Sequence, residues 1–99
     1  MPVYIVGEHD NPKDETRYAK YQKFVAEEWV PYYDKKLKNI CKITSLSDNT
    51  GHIIGIYEFE DLEALGKMWN DPEWQMMMIK LSKLVDNNKF RLCRTAIIT

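Results

Sequence analysis

The chain is poor in the residues that usually announce a function. Its 99 residues include only two cysteines, two histidines and four glycines, and none of these sets forms a motif. Cys41 and Cys93 are too few for the disulfide framework of a small secreted domain, and there is no Cys-x-x-Cys. His9 and His52 belong to no His-x-x-x-His or Cys–His cluster, so no metal site is expected. The acidic pairs Glu27-Glu28 and Glu60-Asp61 are sequence neighbours whose side chains do not converge; solvated faces and helix caps account for them. No Gly-x-Gly-x-x-Gly or phosphate loop is present, and no serine stands in a nucleophile elbow. A formal net charge of −1 gives no pull on a phosphate backbone, which argues against nucleic acid. No apolar run nears the ~20 residues that cross a bilayer. The N-terminus also lacks a basic region followed by an apolar one. No membrane contact and a cytoplasmic location are expected.

What is present is a folded composition, with 44% apolar and 12% aromatic residues, enough for one core in a single domain spanning 1–99. The most informative run is His52 to Leu84. From His52 to Glu60, Ile53, Gly55, Tyr57 and Phe59 share one strand face, and His52, Ile54, Ile56 and Glu58 share the other. Isoleucine on both faces implies two covers. The chain's own helices supply one, and a second copy of the chain is the expected source of the other. Asp61 then caps a helix with Leu62, Leu65, Met68 and Trp69 on its apolar positions. Asp71 caps again before Pro72, whose missing N–H does no harm in a first turn. Met77, Met78, Leu81, Leu84 and Val85 continue one stripe from Trp74.

Around this run, Val3 to Val6 reads as a strand and Gly7 to Pro12 as a loop. A long helix is predicted over about 15–39, with Tyr18, Tyr21, Val25, Trp29 and Tyr32 on one stripe. Pro31 removes the hydrogen bond to the Glu27 carbonyl and predicts a kink or break near Val30. Ile40 to Leu46 and Phe90 to Ile98 supply the remaining strands, the last entered after a break at Asp86-Asn87-Asn88. The order strand, helix, strand, strand, helix, strand is the ferredoxin-like α+β pattern. It implies a four-stranded antiparallel sheet with both helices on one face. Cys41 and Cys93 then lie on opposite outer strands, three spacings of about 4.8 Å apart, and are predicted to be free thiols. The open face, with Ile54, Ile56, Ile97 and Ile98, is expected to pair with a partner's sheet in a homodimer.

Phe59-Glu60-Asp61-Leu62-Glu63-Ala64, followed by Trp69-Asn70-Asp71-Pro72-Glu73-Trp74, resembles the second half of dimeric α+β barrel proteins, among them the antibiotic-biosynthesis monooxygenases. The resemblance implies sheets paired in a dimeric barrel. It also implies a small-molecule-binding homodimer, with cofactor-independent oxygenation or isomerisation of an apolar or aromatic metabolite as its chemistry. Some members of this superfamily bind haem through a histidine on the second helix; Trp74 to Asp86 contains none, and no cofactor is expected.

The candidate site is set by register. If Phe59 faces the helices, so do Tyr57 and Gly55, and Gly7 and His9 join Ile5 there if the first strand continues that far. Two glycines facing the helices either admit a helix closely or leave room for a ligand. Trp29, Tyr33, Tyr57 and Trp69 stand around that space, with His9 and Arg94 as polar candidates at its edge. The resemblance to the monooxygenases implies that His9 or Tyr57 would orient or deprotonate a phenolic substrate and that Trp69 would pack on its rings. The competing reading is a non-catalytic dimeric structural or interaction module in which these aromatics are core and Met76-Met77-Met78 fills an irregular gap. An enclosed space of several hundred cubic ångströms separates the two.

Overall fold

The computed structural model describes residues 1–96. The chain forms β1 (Val3–Asp10), then a helical segment at 15–37, then β2 (Cys41–Ser47) and β3 (His52–Phe59). It continues as α3 (Leu62–Trp69), α4 (Pro72–Leu84) and β4 (Asp86–Arg94). The helical segment comprises α1 (Glu15–Phe24), a π-helical stretch Val25–Trp29, a short α2 (Val30–Tyr32) and a second π-helical stretch Tyr33–Leu37. The four strands make one antiparallel sheet in the order β2-β3-β1-β4. This is the ferredoxin-like α+β arrangement, with strands one and three central. No helix among the described residues is long and apolar enough to cross a membrane.

The helix starts are explained by their caps. Asp14, Asp61 and Asp71 each accept a hydrogen bond from a first-turn N–H, those of Thr16, Ala64 and Glu73 respectively. Asp71 does more, accepting from the Tyr32 hydroxyl at 2.7 Å and the Lys36 ammonium at 2.9 Å. It therefore ties the end of the long helical segment to the start of α4. Between these helices and the sheet lies the core. Val3, Ile5, Tyr57 and Phe59 meet Phe24, Tyr32, Leu37, Leu65, Met68, Trp74, Met77 and Leu81, all buried.

Three expectations are corrected. The first strand runs on through Asp10, because Gly7, Glu8, His9 and Asp10 pair with Gly55, Ile54, Ile53 and His52. The Asn11 N–H still reaches the Gly51 carbonyl at 2.9 Å, and only there does the loop begin. The last strand starts at Asp86, so the Asn-Asn pair is a bulge within it and not a break before it. Glu8 opposes Lys89 while Asp10 opposes Asp86, which leaves one extra residue on β4, and Asn87 takes φ 56°. Ile97 and Ile98 lie outside the described residues. Finally, Pro31 does not break its helix. Trp29 and Val30 keep helical dihedrals, and the Val30 N–H bonds to the Val25 carbonyl, five residues back. The widened turn before the proline absorbs its ring and its missing donor, so the expected distortion takes the form of π-helix.

Cys41 is buried on β2 and Cys93 half-buried on β4, at opposite edges of the sheet, and both are free thiols. Burial pushes the Cys41 thiol up to about 12, which makes it inert at neutral pH. The face turned away from the helices carries half-buried Tyr4, Val6, Ile54 and Ile56 and the exposed Leu46. Beside them stands a polar cluster of Glu8, Asp10, His52 and Arg91.

Candidate functional site

Directly paired strand residues share a face, so the register fixes the floor of the site. Gly7 opposes Gly55, with Ile43 and Ser45 from β2 and Phe90 from β4 on the same side. The two glycines admit flat rings onto the sheet. A Cβ on Gly7 would come 2.7 Å from Phe90 Cε1, and one on Gly55 would come 3.3 Å from Tyr57 Cε1. The Phe90 ring thus uses the space over Gly7, and room remains above it. That room is a cavity of about 340 Å3, open to solvent. Gly7, His9, Ser45, Ile53, Gly55, Tyr57, Asn88 and Phe90 line it from the sheet, and Tyr21, Val25, Trp29, Val30, Tyr33 and Leu81 from the helices.

The roof depends on the π-helical turns. Tyr21, Val25 and Trp29 recur every fourth residue, which in an α-helix holds one face. Each π turn adds a residue to the repeat, and one added residue rotates the rest of the helix by about 100°. Val30 then joins Trp29 over the cavity instead of turning away, beside Tyr33, the next residue of the four-residue repeat. Trp29 lies nearly parallel to Tyr57, with ring centroids 6.2 Å apart and planes at 12°. Tyr33 meets Trp29 edge-on at 5.7 Å, and Trp74 supports Tyr57 from beneath in the same manner at 5.7 Å.

The polar chemistry gathers at one end. His9 Nε2 lies 3.0 Å from the Tyr21 hydroxyl, and the rings pack edge to face. Burial holds the His9 imidazole below its ordinary value, although Asp10 pulls the other way. Burial also pushes the Tyr21 phenol up. The pair is therefore neutral at physiological pH, an imidazole with a phenol on one ring nitrogen. Such a group can accept a proton from a ligand and has a partner through which to stay oriented. Tyr57 is a different case. Its burial pushes its phenol well above the ordinary range, so it serves as wall and neutral donor and not as a base.

His9, Trp29, Tyr33 and Tyr57 therefore come together on one cavity, whereas Trp69 and Arg94 do not line it. Trp69 is 43% exposed on α3 and touches Phe90 edge-on from outside the cavity. Arg94 pairs with Val3 at the far end of β4, several strand residues from His9, and is exposed. Tyr21 and Asn88 are site residues that the sequence does not single out. Tyr21 sits on the predicted stripe, but its partner His9 is reached only once β1 extends past Val6. Asn88 falls within an apparent break. No group of three or more His, Cys, Asp or Glu side chains able to hold a metal occurs among the described residues. α4 has no histidine to ligate haem.

No family model matches the chain, and no curated protein matches it in sequence. Solved structures do share its fold. A conserved protein from Methanosarcina mazei Go1 superposes with a TM-score of 0.74 at 15% identity, over 97% of this chain and 94% of that one. An antibiotic biosynthesis monooxygenase gives 0.63 at 12% identity, over 96% of this chain and 99% of that one. A NIPSNAP family protein from Agrobacterium tumefaciens gives 0.60 at 19% identity, over 97% and 94%. At these identities the likeness is one of fold. The ferredoxin-like α+β fold that the resemblance implies is the fold they share.

Proposed function

We propose that the protein is a homodimer that binds a small, flat, largely apolar aromatic metabolite and oxidises it without a cofactor. One observation carries this: the cavity of about 340 Å3 is left open between aromatic walls, with a neutral imidazole at its end. A structural module would have filled it. Ligand pockets span ~300–1,000 Å3, so a molecule of two or three fused rings suits this one. Trp29 and Tyr57, stacked on each other, form a wall against the rings of the ligand. His9 takes the proton of a phenolic hydroxyl, and Tyr21 keeps the imidazole aimed. The phenolate reduces dioxygen: one oxygen atom replaces hydrogen on a ring carbon, the other leaves as water, and a quinone results. An antibiotic biosynthesis monooxygenase among the structures of like fold supports the oxygenase reading. The same base would serve an isomerase, which consumes no dioxygen. The open sheet face, with Val6, Ile54, Ile56 and Leu46, meets the same face of a second copy.

An oxygen electrode with a tricyclic phenol and no added cofactor tests the chemistry. Uptake is expected at one dioxygen per phenol. His9→Ala should lower the rate by roughly 100-fold or more while ligand still quenches tryptophan emission. Quenching without oxygen uptake would shift the reading to isomerisation or simple binding. No quenching by any polycyclic phenol would leave the structural module as the better account. A sedimentation mass of one subunit at micromolar concentration would remove the dimer.

A further inference from the structure

The cavity has a direction. Phe90, Gly7, Gly55 and Ser45 pair in one line across the four strands, so the floor is a trough that runs at right angles to them. His9 and Ile53 form one bank of the trough, and Tyr57 and Ile43 the other. One end is shut, because the Phe90 ring lies over Gly7. Over Gly55 the floor is bare: among the described residues only the Tyr57 ring edge, at 3.3 Å, and the Gly7 carbonyl come within 4 Å of where a Cβ would stand. The other end is the outer edge of the sheet. β2 is an edge strand, and Ser45 is the exposed member of the sheet residues that line the cavity.

This direction orients a ligand. His9 stands on β1 and Ser45 on β2, two strand spacings of about 4.8 Å apart, roughly the length of two fused rings. A ring system with its hydroxyl on His9 therefore places its far ring over Gly55 and its remote edge at Ser45. A polar substituent on that remote edge passes Ser45 and keeps its water. On the hydroxyl-bearing ring the same substituent would be enclosed by Phe90, Tyr57 and Ile53, and the lining holds no lysine or arginine to offset its lost hydration.

We infer that Ser45 is a specificity-determining residue at the mouth of the trough, and that the site takes fused-ring phenols carrying a polar substituent on the ring remote from the reacting hydroxyl. This rests on the reading of the cavity as a ligand site with His9 at its hydroxyl end, and it adds which end of the ligand remains in water.

Calorimetric titration with 2-naphthol, 2-naphthol-6-sulfonate and 2-naphthol-4-sulfonate tests it on the unaltered protein and on Ser45→Trp. The two sulfonates are isomers of equal charge that differ in which ring bears the anion. The 6-isomer should bind nearly as well as naphthol, and the 4-isomer roughly 100-fold more weakly. Ser45→Trp fills the mouth at an exposed edge position where an aromatic suits a strand. It should cut the preference for the 6-isomer over the 4-isomer by roughly 10-fold. Equal binding of the two sulfonates, or tighter binding of the 4-isomer, would overturn the orientation and leave the ligand site standing. A preference for the 6-isomer that survives Ser45→Trp unchanged would overturn the role of Ser45. Binding of none of the three would overturn the ligand site as well. The comparison of isomers on the unaltered protein stands even if the variant fails to fold.

Discussion

His9 and His52 lie one pairing step apart on adjacent strands, since His9 opposes Ile53 and Asp10 opposes His52, yet they occupy opposite faces of the sheet. On the helix face His9 has one partner, a phenol, and burial keeps it neutral. On the open face both His52 nitrogens lie against carboxylates, Asp10 at 2.7 Å and Glu8 at 3.1 Å, and Arg91 backs Glu8 at 2.6 Å. Two carboxylate acceptors call for two N–H donors, so this setting favours the imidazolium, and the hydrogen bonds raise its pKa, that to Asp10 most. One residue of strand alternation thus decides which imidazole is held neutral and which is favoured as a cation. The covered face is built from aromatic packing and neutral polar groups. The open face is built from aliphatic side chains fringed by paired charges.

The largest test of that division is a pair of truncations. Phe59→Ala removes a fully buried ring from the helix face and should cost about 3–5 kcal/mol in denaturant unfolding. Leu46→Ala, on a side chain 51% exposed on the other face, should stay within about 0.5 kcal/mol for a lone subunit. A cost for Leu46→Ala approaching that of a core residue, and growing with protein concentration, would mean the open face is covered in solution. A smaller effect is expected from Gly7→Ala. The new methyl cannot coexist with Phe90 Cε1 at 2.7 Å, so the ring must move up into the cavity. Overpacking of this kind costs about 1–3 kcal/mol. It should also weaken binding of a fused-ring ligand, whereas stability and affinity both unchanged would show that the cavity floor is soft.

The same division explains how much is legible in the sequence. Asp61, Asp71 and Pro72 place the starts of α3 and α4 because capping is local chemistry, and the alternation from Ile53 to Phe59 places the helix face of β3 because period two is local as well. The continuation of β1 through His9 is not legible. Gly7 to Asp10 has no strand propensity of its own and is extended because Gly55 to His52 holds it from across the sheet. Asn87-Asn88 reads as a turn by composition, and only a long-range pairing makes it a bulge. Trp69 and Arg94 carry suitable chemistry but are excluded by position, which composition cannot supply. Tyr21 and Asn88, at the polar end of the cavity, are invisible for the same reason.

The smallest and sharpest test is the titration of the two imidazoles, followed by NMR on their ring C–H signals. Against an ordinary histidine value of 6.5, His9 should titrate lower and His52 higher. The consequences for stability have opposite signs. The raised value of His52 means its contribution is complete below about 6.5 and fades as pH rises through the folded value. The lowered value of His9 means the folded state resists its proton, so stability falls as pH drops below about 6.5 through the folded value. Glu8 and Asp10, held below the ordinary carboxylate range by their hydrogen bonds, lose their contributions only at more acid pH. His52→Gln should therefore flatten the alkaline side of the stability profile, and His9→Gln the side just below 6.5. Added salt should lower the His52 value towards 6.5, since that cluster faces solvent, and leave His9 nearly unmoved. Two signals moving together near 6.5 would mean that the faces do not differ in the way the geometry requires, and His9 would lose its standing as the base.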